Sequence, residues 1–315
     1  MSASQAVAPN STYEEKWVVG PHDTNFYTRT YPSFDPIAVL VFVHGAAEHA
    51  GRYTEMHTSL STKHQIAVFV FDLRGYGRTA GDSDHKSKDA AYGKTKWALQ
   101  MDDLEWAIEQ AAANFPALPL FLMGTSMGGG QVLGLLCDKS RADITPVKRV
   151  KGVIAGSPCI TLTNPVPKPA MWIAKKVVQV KPYTLFPFRN NPKDLSRNPE
   201  TNESYVSDPL IGKPGSLQSL GDMIDQGEII LKTAYANWPE SIPVLLLHGT
   251  SDNVTSPKST QELCEKLPAN DKKIILYPDA LHELHNEPDG VKEKSLSDVV
   301  EFIRTHSSSL KLQGL

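Results

Sequence analysis

Cysteine is scarce, with three in 315 residues, Cys137, Cys159 and Cys264, widely spaced and without a Cys-x-x-Cys pair. That excludes a disulfide framework and argues against a thiolate zinc centre. An excess of positive charge is also missing: 32 Lys+Arg stand against 35 Asp+Glu, for a formal net charge of -3. Such a chain has little with which to release counterions from nucleic acid, so nucleic acid is not an expected partner. No stretch reaches the roughly 18 uninterrupted apolar residues of a membrane span. Met1 to Thr12 lacks the basic start and apolar run of an export signal, so the expected location is cytoplasmic. The Asn-x-Ser/Thr triplets at Asn10, Asn202 and Asn253 then read as chance matches. What is present is a core: 40% hydrophobic and 21% charged residues suit a folded chain. Its length exceeds the about 100 to 200 residues of one ordinary domain, which leaves one large α/β domain or a core with an insertion.

Short apolar, β-branched runs mark strands at Ile37 to Val43, Ile66 to Phe71, Leu118 to Met123, Val150 to Ala155, Val244 to Leu247 and Lys273 to Tyr277. Most lack polar alternation, which fits a parallel sheet covered on both faces. Helical patterns lie between them. Trp97, Met101, Leu104, Ile108 and Ala111 form one apolar stripe along Lys96 to Asn114. Further helices are expected over Ser126 to Cys137, Pro257 to Leu267 and a C-terminal stretch carrying Leu296, Val299, Val300 and Ile303. The alternation is that of a doubly wound α/β fold. Tyr13 to Val19 and Phe26 to Tyr31 suggest an antiparallel hairpin at the sheet edge. From about Cys159 to Met223 prolines are dense and no strong strand appears, which reads as an insertion. Inside it, Met171 to Val180 has the pattern of a short helix with an apolar face and a basic edge, either packed on the core or touching lipid.

The segment that carries chemistry is Leu118 to Gly130, where a buried strand runs into Gly124-Thr125-Ser126-Met127-Gly128 and straight on into a helix. That is the context a Gly-x-Ser-x-Gly nucleophile turn requires. Ser126 must adopt a strained backbone to lift its hydroxyl clear of the sheet, and the small residues flanking it let strand and helix approach. A serine hydroxyl needs a base oriented by a third group, in the chain order Ser, acid, His. Asp252, in the loop after Leu245 to Leu247, is the candidate acid, with a turn or helix-cap role as its plain alternative. His282, just past the strand ending at Tyr277, is the candidate base. His285 on the same loop is its competitor, and Asp279 competes with Asp252 but lies too near His282 in sequence to orient the ring easily. The turn His44-Gly45-Ala46 after Val43 would supply an oxyanion-hole amide from Ala46, paired with the amide of Met127. Otherwise it is an ordinary strand-ending turn.

Other patterns fail. Gly75 to Gly81 has one residue too many for a dinucleotide fingerprint, and Gly93-Lys94-Thr95 lacks the upstream glycine of a phosphate loop. His282 and His285 are spaced by three rather than four, unlike the zinc-protease helix motif, so no metal is implied.

Five segments carry a resemblance: His44-Gly-Ala-Ala-Glu-His-Ala-Gly-Arg-Tyr53, Gly124-Thr-Ser-Met-Gly128, Ser204-Tyr-Val-Ser-Asp-Pro-Leu210, His248-Gly-Thr-Ser-Asp252 and His282-Glu-Leu-His-Asn286. In this order they resemble the monoacylglycerol lipases, a branch of the α/β-hydrolases. The resemblance implies an α/β-hydrolase fold, a mostly parallel central sheet flanked by helices. Residues 1–158 and 224–315 would form the core and 159–223 an inserted cap. It also implies hydrolysis of a monoacylglycerol to fatty acid and glycerol, an apolar acyl tunnel under the cap, and no cofactor. Glu48, Arg52, Tyr205 and His285 match positions that shape a polar pocket for the glycerol head, although Glu48 and Arg52 also read as an ion pair bracing the oxyanion loop. Thr125 stands where the family usually has His before the nucleophile. The expected partners are the substrate and, through the cap, transient contact with membranes or lipid droplets, with no obligate protein partner. The rival readings are a broader carboxylesterase or lysophospholipase, and a non-catalytic binding protein on the same scaffold.

Overall fold

The computed structural model describes residues 12–186, 190–212 and 215–312, the side chains of 308–312 excepted. Most of the opening stretch read for an export signal, with Asn10, and Pro187 and Pro214 of the insertion, lie outside the described residues. Eight strands form one sheet in the order β1-β2-β4-β3-β5-β6-β7-β8. They are β1 (Glu14–Val19), β2 (Asn25–Tyr31), β3 (Ala38–Val43), β4 (Ile66–Phe71), β5 (Leu120–Thr125), β6 (Val150–Gly156), β7 (Val244–Gly249) and β8 (Lys272–Tyr277). The hairpin β1-β2 is antiparallel and sits at one edge, β2 meets β4 antiparallel, and every pair from β4 to β8 is parallel.

The continuously apolar inner strands, β3 and β4 above all, are explained by two helical layers. Val39, Val41, Val43 and Leu122 enter one core, while Ala38, Leu40, Phe42 and Phe121 enter the other. The longer helices are α1 (Thr54–Lys63), α2 (Trp97–Asn114), α3 (Met127–Cys137), α4 (Lys168–Val180), α5 (Pro199–Ser207), α6 (Leu217–Lys232), α7 (Pro257–Lys266) and α8 (Val291–Leu312). Residues of α2, α3, α6 and α7 build the first core, and α1 and α8 close the second. Strand β8 ends the sheet with Lys272 and Lys273 exposed, charges that discourage pairing with another edge.

Between β6 and β7 the chain leaves the sheet, and no strand longer than an isolated bridge occurs among the described residues there. Its prolines open helices: Pro192 and Pro199 occupy first-turn positions behind the caps Asn191 and Asn198, where a missing N–H costs nothing. Helix α6 runs unbroken through residue 223, with Lys175 of α4 paired to Asp225 near its middle and Ile230 and Leu231 in the main core. Apart from Val19 and Phe34, the exposed large hydrophobics among the described residues fall between Val166 and Ile229.

Phe121 is fully buried between the sheet and Phe302 of α8. Replacing it with Ala should cost about 3–5 kcal/mol in denaturant unfolding. A loss below about 1 kcal/mol would contradict the packing described for this layer.

Candidate active site

Strands β3, β5, β6, β7 and β8 run parallel, so their carboxyl ends share one rim, the place where open α/β sheets hold their reactive groups. Ser126 stands between β5 and α3 with φ 54° and ψ -118°, a conformation only a tightly determined turn retains. A Cβ on Gly124 would lie 2.2 Å from the Gly128 carbonyl, and one on Gly128 2.2 Å from the Val43 carbonyl. Glycine at both positions is therefore a matter of space, and it brings the first turn of α3 against both β5 and β3. The strained residue is pinned on both sides: its N–H donates to Gly156 O (3.0 Å), and its carbonyl accepts from Gly130 N (3.1 Å) and Cys159 N (2.9 Å).

His282 lies on the loop after β8, and its Nδ1–H donates to Asp252 Oδ2 at 2.7 Å. Asp252 is fully enclosed. Val254 and Thr255 amides donate to its Oδ1 (2.7 and 3.0 Å), and the Thr255 hydroxyl and His248 Nε2 bond its Oδ2 (each 3.0 Å). Burial alone would raise this carboxyl, but the charge of His282 and the bonds from both histidines outweigh it and hold the group ionised far below the carboxylate range. For His282 burial lowers and Asp252 raises; the carboxylate prevails and the ring titrates above its ordinary value. The His282 carbonyl also accepts from Ser157 Oγ at 2.8 Å, which ties the loop to the end of β6. Asp279, the rival acid, is exposed and bonds Thr250 through its amide. Among the described residues the Ser126 hydroxyl makes no hydrogen bond with His282. Thr125 and His282 nevertheless line one cavity of about 30 Å³, and catalytic bonds often tighten only around substrate.

The loop after β3 is fixed by His44. Leu73 N–H donates to its Nε2 (2.9 Å), which leaves Nδ1–H to donate to Gly45 O (2.8 Å). Burial pushes this ring down to about 3, so it stays neutral. Ala46 follows on that loop, and Met127 opens α3, where first-turn amides have no partner within the helix. Ser126 lies directly beside Gly45: a Cβ there would meet Ser126 Cβ at 3.3 Å.

Glu48 and Arg52 are an ion pair at 2.7 Å, both nearly buried. Arg52 also holds Glu283 in two bonds of 2.7 and 2.9 Å, and its guanidinium lies 5.1 Å above the Tyr205 ring. Tyr53 donates its hydroxyl to Glu48 and bonds Thr125 Oγ1 (2.8 Å), while His285 packs on its ring at 4.5 Å. Burial pushes His285 down to about 4. Glu48, Arg52, Tyr205 and His285 are thus brought together around Tyr53. His49 Nε2 bonds Asp208 Oδ2 at 2.8 Å, so two residues of the inserted segment, Tyr205 and Asp208, clasp this loop. A polar crevice of about 740 Å³ opens on the outer side, lined by Arg52, His49, Ser204, Asp208 and Lys292 among others. Ser126 does not line it, so it is not the apolar tunnel that the resemblance implies.

Residues missed in the sequence are the supports: Thr255, His248, Ser157, Tyr53 and Glu283. His248, Tyr53 and Glu283 lie inside the segments that carry the resemblance, but no role attached to them there, while Thr255 and Ser157 lie outside those segments.

A strained serine on a strand-to-helix turn, with a carboxylate-bound histidine beyond the edge strand of the same parallel sheet, defines the class of serine-nucleophile α/β-hydrolases. The model of the serine aminopeptidase S33 family matches residues 35–289, and the chain belongs to that family, within it to the monoacylglycerol lipase branch. A Schizosaccharomyces pombe protein provisionally named a monoglyceride lipase is 34% identical over 277 residues, 86% of this chain and 68% of that one. The monoacylglycerol lipase of Mycolicibacterium smegmatis is 28% identical over 283 residues, 87% of this chain and 91% of its own. A crystal structure of a soluble variant of Saccharomyces cerevisiae monoglyceride lipase with a substrate analogue superposes with a TM-score of 0.82 at 23% identity, covering 97% of this chain and 99% of that one. At that identity the superposition speaks for the fold.

Gly128→Ala tests the space at the turn. The added methyl should destabilise the protein by about 1–3 kcal/mol, read as an earlier denaturant midpoint; a midpoint equal to wild type would mean that α3 does not approach β3 as described.

Proposed function

We propose that the chain hydrolyses the ester bond of monoacylglycerols to a fatty acid and glycerol through an acyl-enzyme. The observation that carries the reading is the 2.7 Å bond from His282 to the buried, ionised Asp252 on the rim that also presents the strained Ser126. The relatives' activity supports the choice of ester. Ser126 Oγ attacks the ester carbonyl as His282 takes its proton; collapse of the tetrahedral intermediate releases glycerol, which receives that proton. Water, deprotonated by the same ring, then attacks the acyl-Ser126 and frees the acid. The amides of Ala46 and Met127 would receive the developing oxyanion. Glu48, Arg52, Tyr205 and His285 would shape the glycerol side, with Arg52 acting from within its ion pairs.

The inserted segment, 159–223, would act as a cap. No helix among the described residues is long and apolar enough to cross a membrane. Helix α4 nevertheless buries none of its residues and exposes Trp172, Ile173 and Val180 beside Lys176, whose ammonium lies 5.8 Å from the Trp172 ring. That is the pattern of a helix lying on lipid, and it supports a cytoplasmic enzyme that visits membranes or lipid droplets to collect its substrate.

Ser126→Ala should abolish release of oleate from monoolein while the far-UV spectrum stays native; turnover near the wild-type rate refutes the nucleophile. Asp252→Asn should lower kcat by about 10⁴-fold through the wrong tautomer of His282. In the wild type the base works unprotonated and its pKa is raised, so activity should fall as pH drops through a midpoint above the ordinary histidine value, about 6.5. A midpoint below it would contradict the Asp252 coupling. For the cap, Trp172→Glu should reduce co-sedimentation with anionic liposomes and spare hydrolysis of a water-soluble ester; unchanged sedimentation removes α4 as the contact.

A further inference from the structure

Strands β3 and β8 carry the loops that bear the Ala46 amide and His282, yet β5, β6 and β7 lie between them, so no ladder bond sets one loop against the other. The direct polar tie is made by three charged side chains. Glu48, three residues beyond Gly45, accepts from the Gly45 amide (3.3 Å) and from Arg52 (2.7 Å). Arg52 reaches 231 positions along the chain to grip both carboxylate oxygens of Glu283, the residue directly after His282. Asn286 donates to Glu283 Oε2 at 2.7 Å, and the Glu283 amide donates to Leu195 O at 2.8 Å, so this carboxylate cannot swing without carrying its loop. Arg52 and Glu283 are almost wholly enclosed, with side chains 8% and 2% exposed, which makes the fork geometry rigid rather than a fluctuating surface pair.

Resting on the triad proposed above, we infer that Glu283 is a positioning residue for the reaction: through Arg52 and Glu48 it sets the base loop against the oxyanion loop. Being one residue from His282, it has a second, electrostatic effect. The charged and titratable groups around that ring are His248 from the end of β7 and Asp252 from the loop after it, Glu48 and Arg52 from the loop after β3, and Glu283 and His285 from its own loop. Glu283 and Glu48 both favour the imidazolium, after Asp252. Removing the Glu283 charge should therefore lower the pH at which the base becomes protonated, while loosening the geometry slows the step itself. These two effects have opposite consequences at low pH, and a brace with no bearing on the base produces neither.

The test measures kcat and KM against pH on p-nitrophenyl butyrate for wild type, Glu283→Gln, Glu283→Asp and Ser126→Ala, with thermal melting of each. Glu283→Gln should lose about tenfold or more in kcat, keep KM within about twofold, and move the acid limb of kcat/KM down by up to about one pH unit. Glu283→Asp, which keeps the charge, should hold the limb at the wild-type position and recover part of kcat. A lower melting temperature with kcat and limb unchanged overturns the inference in favour of a purely structural brace. A raised KM at unchanged kcat overturns it in favour of a direct substrate contact by Arg52. If Glu283→Gln does not fold, Glu283→Asp decides: a limb displaced from wild type rejects the inference and a coincident one with reduced kcat sustains it. Turnover surviving in Ser126→Ala would instead strike the triad itself, which keeps the two failures apart.

Discussion

The closeness of one helix to two strands governs the rest of this structure. With glycine at 124 and 128, the first turn of α3 lies against β5 and the end of β3, and Ser126 is forced into positive φ to make the turn. Strain of this kind persists only when neighbours over-determine it. Here the neighbours are the Gly156 carbonyl and the Gly130 and Cys159 amides, which bond both backbone groups of Ser126. The same contact that strains Ser126 also sets Gly45 beside it, so the proposed nucleophile and the loop of the candidate oxyanion hole are placed by one packing decision.

Around that turn the polar groups have been dried rather than exposed. Asp252 and His44 are essentially without solvent contact, and each side-chain hydrogen-bonding atom of these two residues has a partner of the right kind. For Asp252 the donors are two amides, a hydroxyl and two imidazoles, enough to keep a buried carboxylate ionised against its desolvation cost. His248 needs Nε2–H for Asp252, and Thr260 Oγ1 at Nδ1 (2.9 Å) can donate to the remaining lone pair, which fixes its tautomer. His57 shows what an unconnected group looks like in the same protein: both ring nitrogens are buried without partners among Phe42, Tyr31 and Tyr53, and burial pushes it down to about 3, leaving a neutral aromatic filler.

The parts legible in the sequence are those whose physics is local. Strand β4 was bounded at both ends by its apolar run Ile66 to Phe71, because a strand covered on both faces has no polar interruptions. The turn at Ser126 was readable for a similar reason: strand, glycine spacing and helix are contiguous. Helix α1, Thr54–Lys63, is not legible because only Met56 and Leu60 supply its apolar face among threonines, serines and one histidine. The proline-dense stretch ends the insertion at Met223 in the sequence, whereas helix α6 continues through that point to Ile230 and Leu231 of the main core. Glu283 lies in the segment His282 to Asn286 that carries the resemblance, yet nothing local shows what it does. Its meaning depends on Arg52, 231 positions away, and only the fold makes them neighbours.

The charge balance of the rim follows from that pairing. Asp252, Glu48 and Glu283 place three carboxylates near one imidazole, and a site built that way would favour imidazolium before the reaction as strongly as during it. It would also set Glu48 against negative charge developing beside Gly45. Arg52 is bonded to both glutamates, and in the reaction proposed above it would offset their charge on the oxyanion side while Asp252 acts on His282 through its own short bond. A buried ion pair is weak evidence for stability, since desolvation offsets much of its attraction. In the proposed reaction it would serve a different task, that of separating two electrostatic demands: positive charge welcomed at His282, negative charge tolerated at the loop after β3. Lysine in place of Arg52 would supply the charge without the fork, and so without the fixed angle between the two loops on which that separation depends.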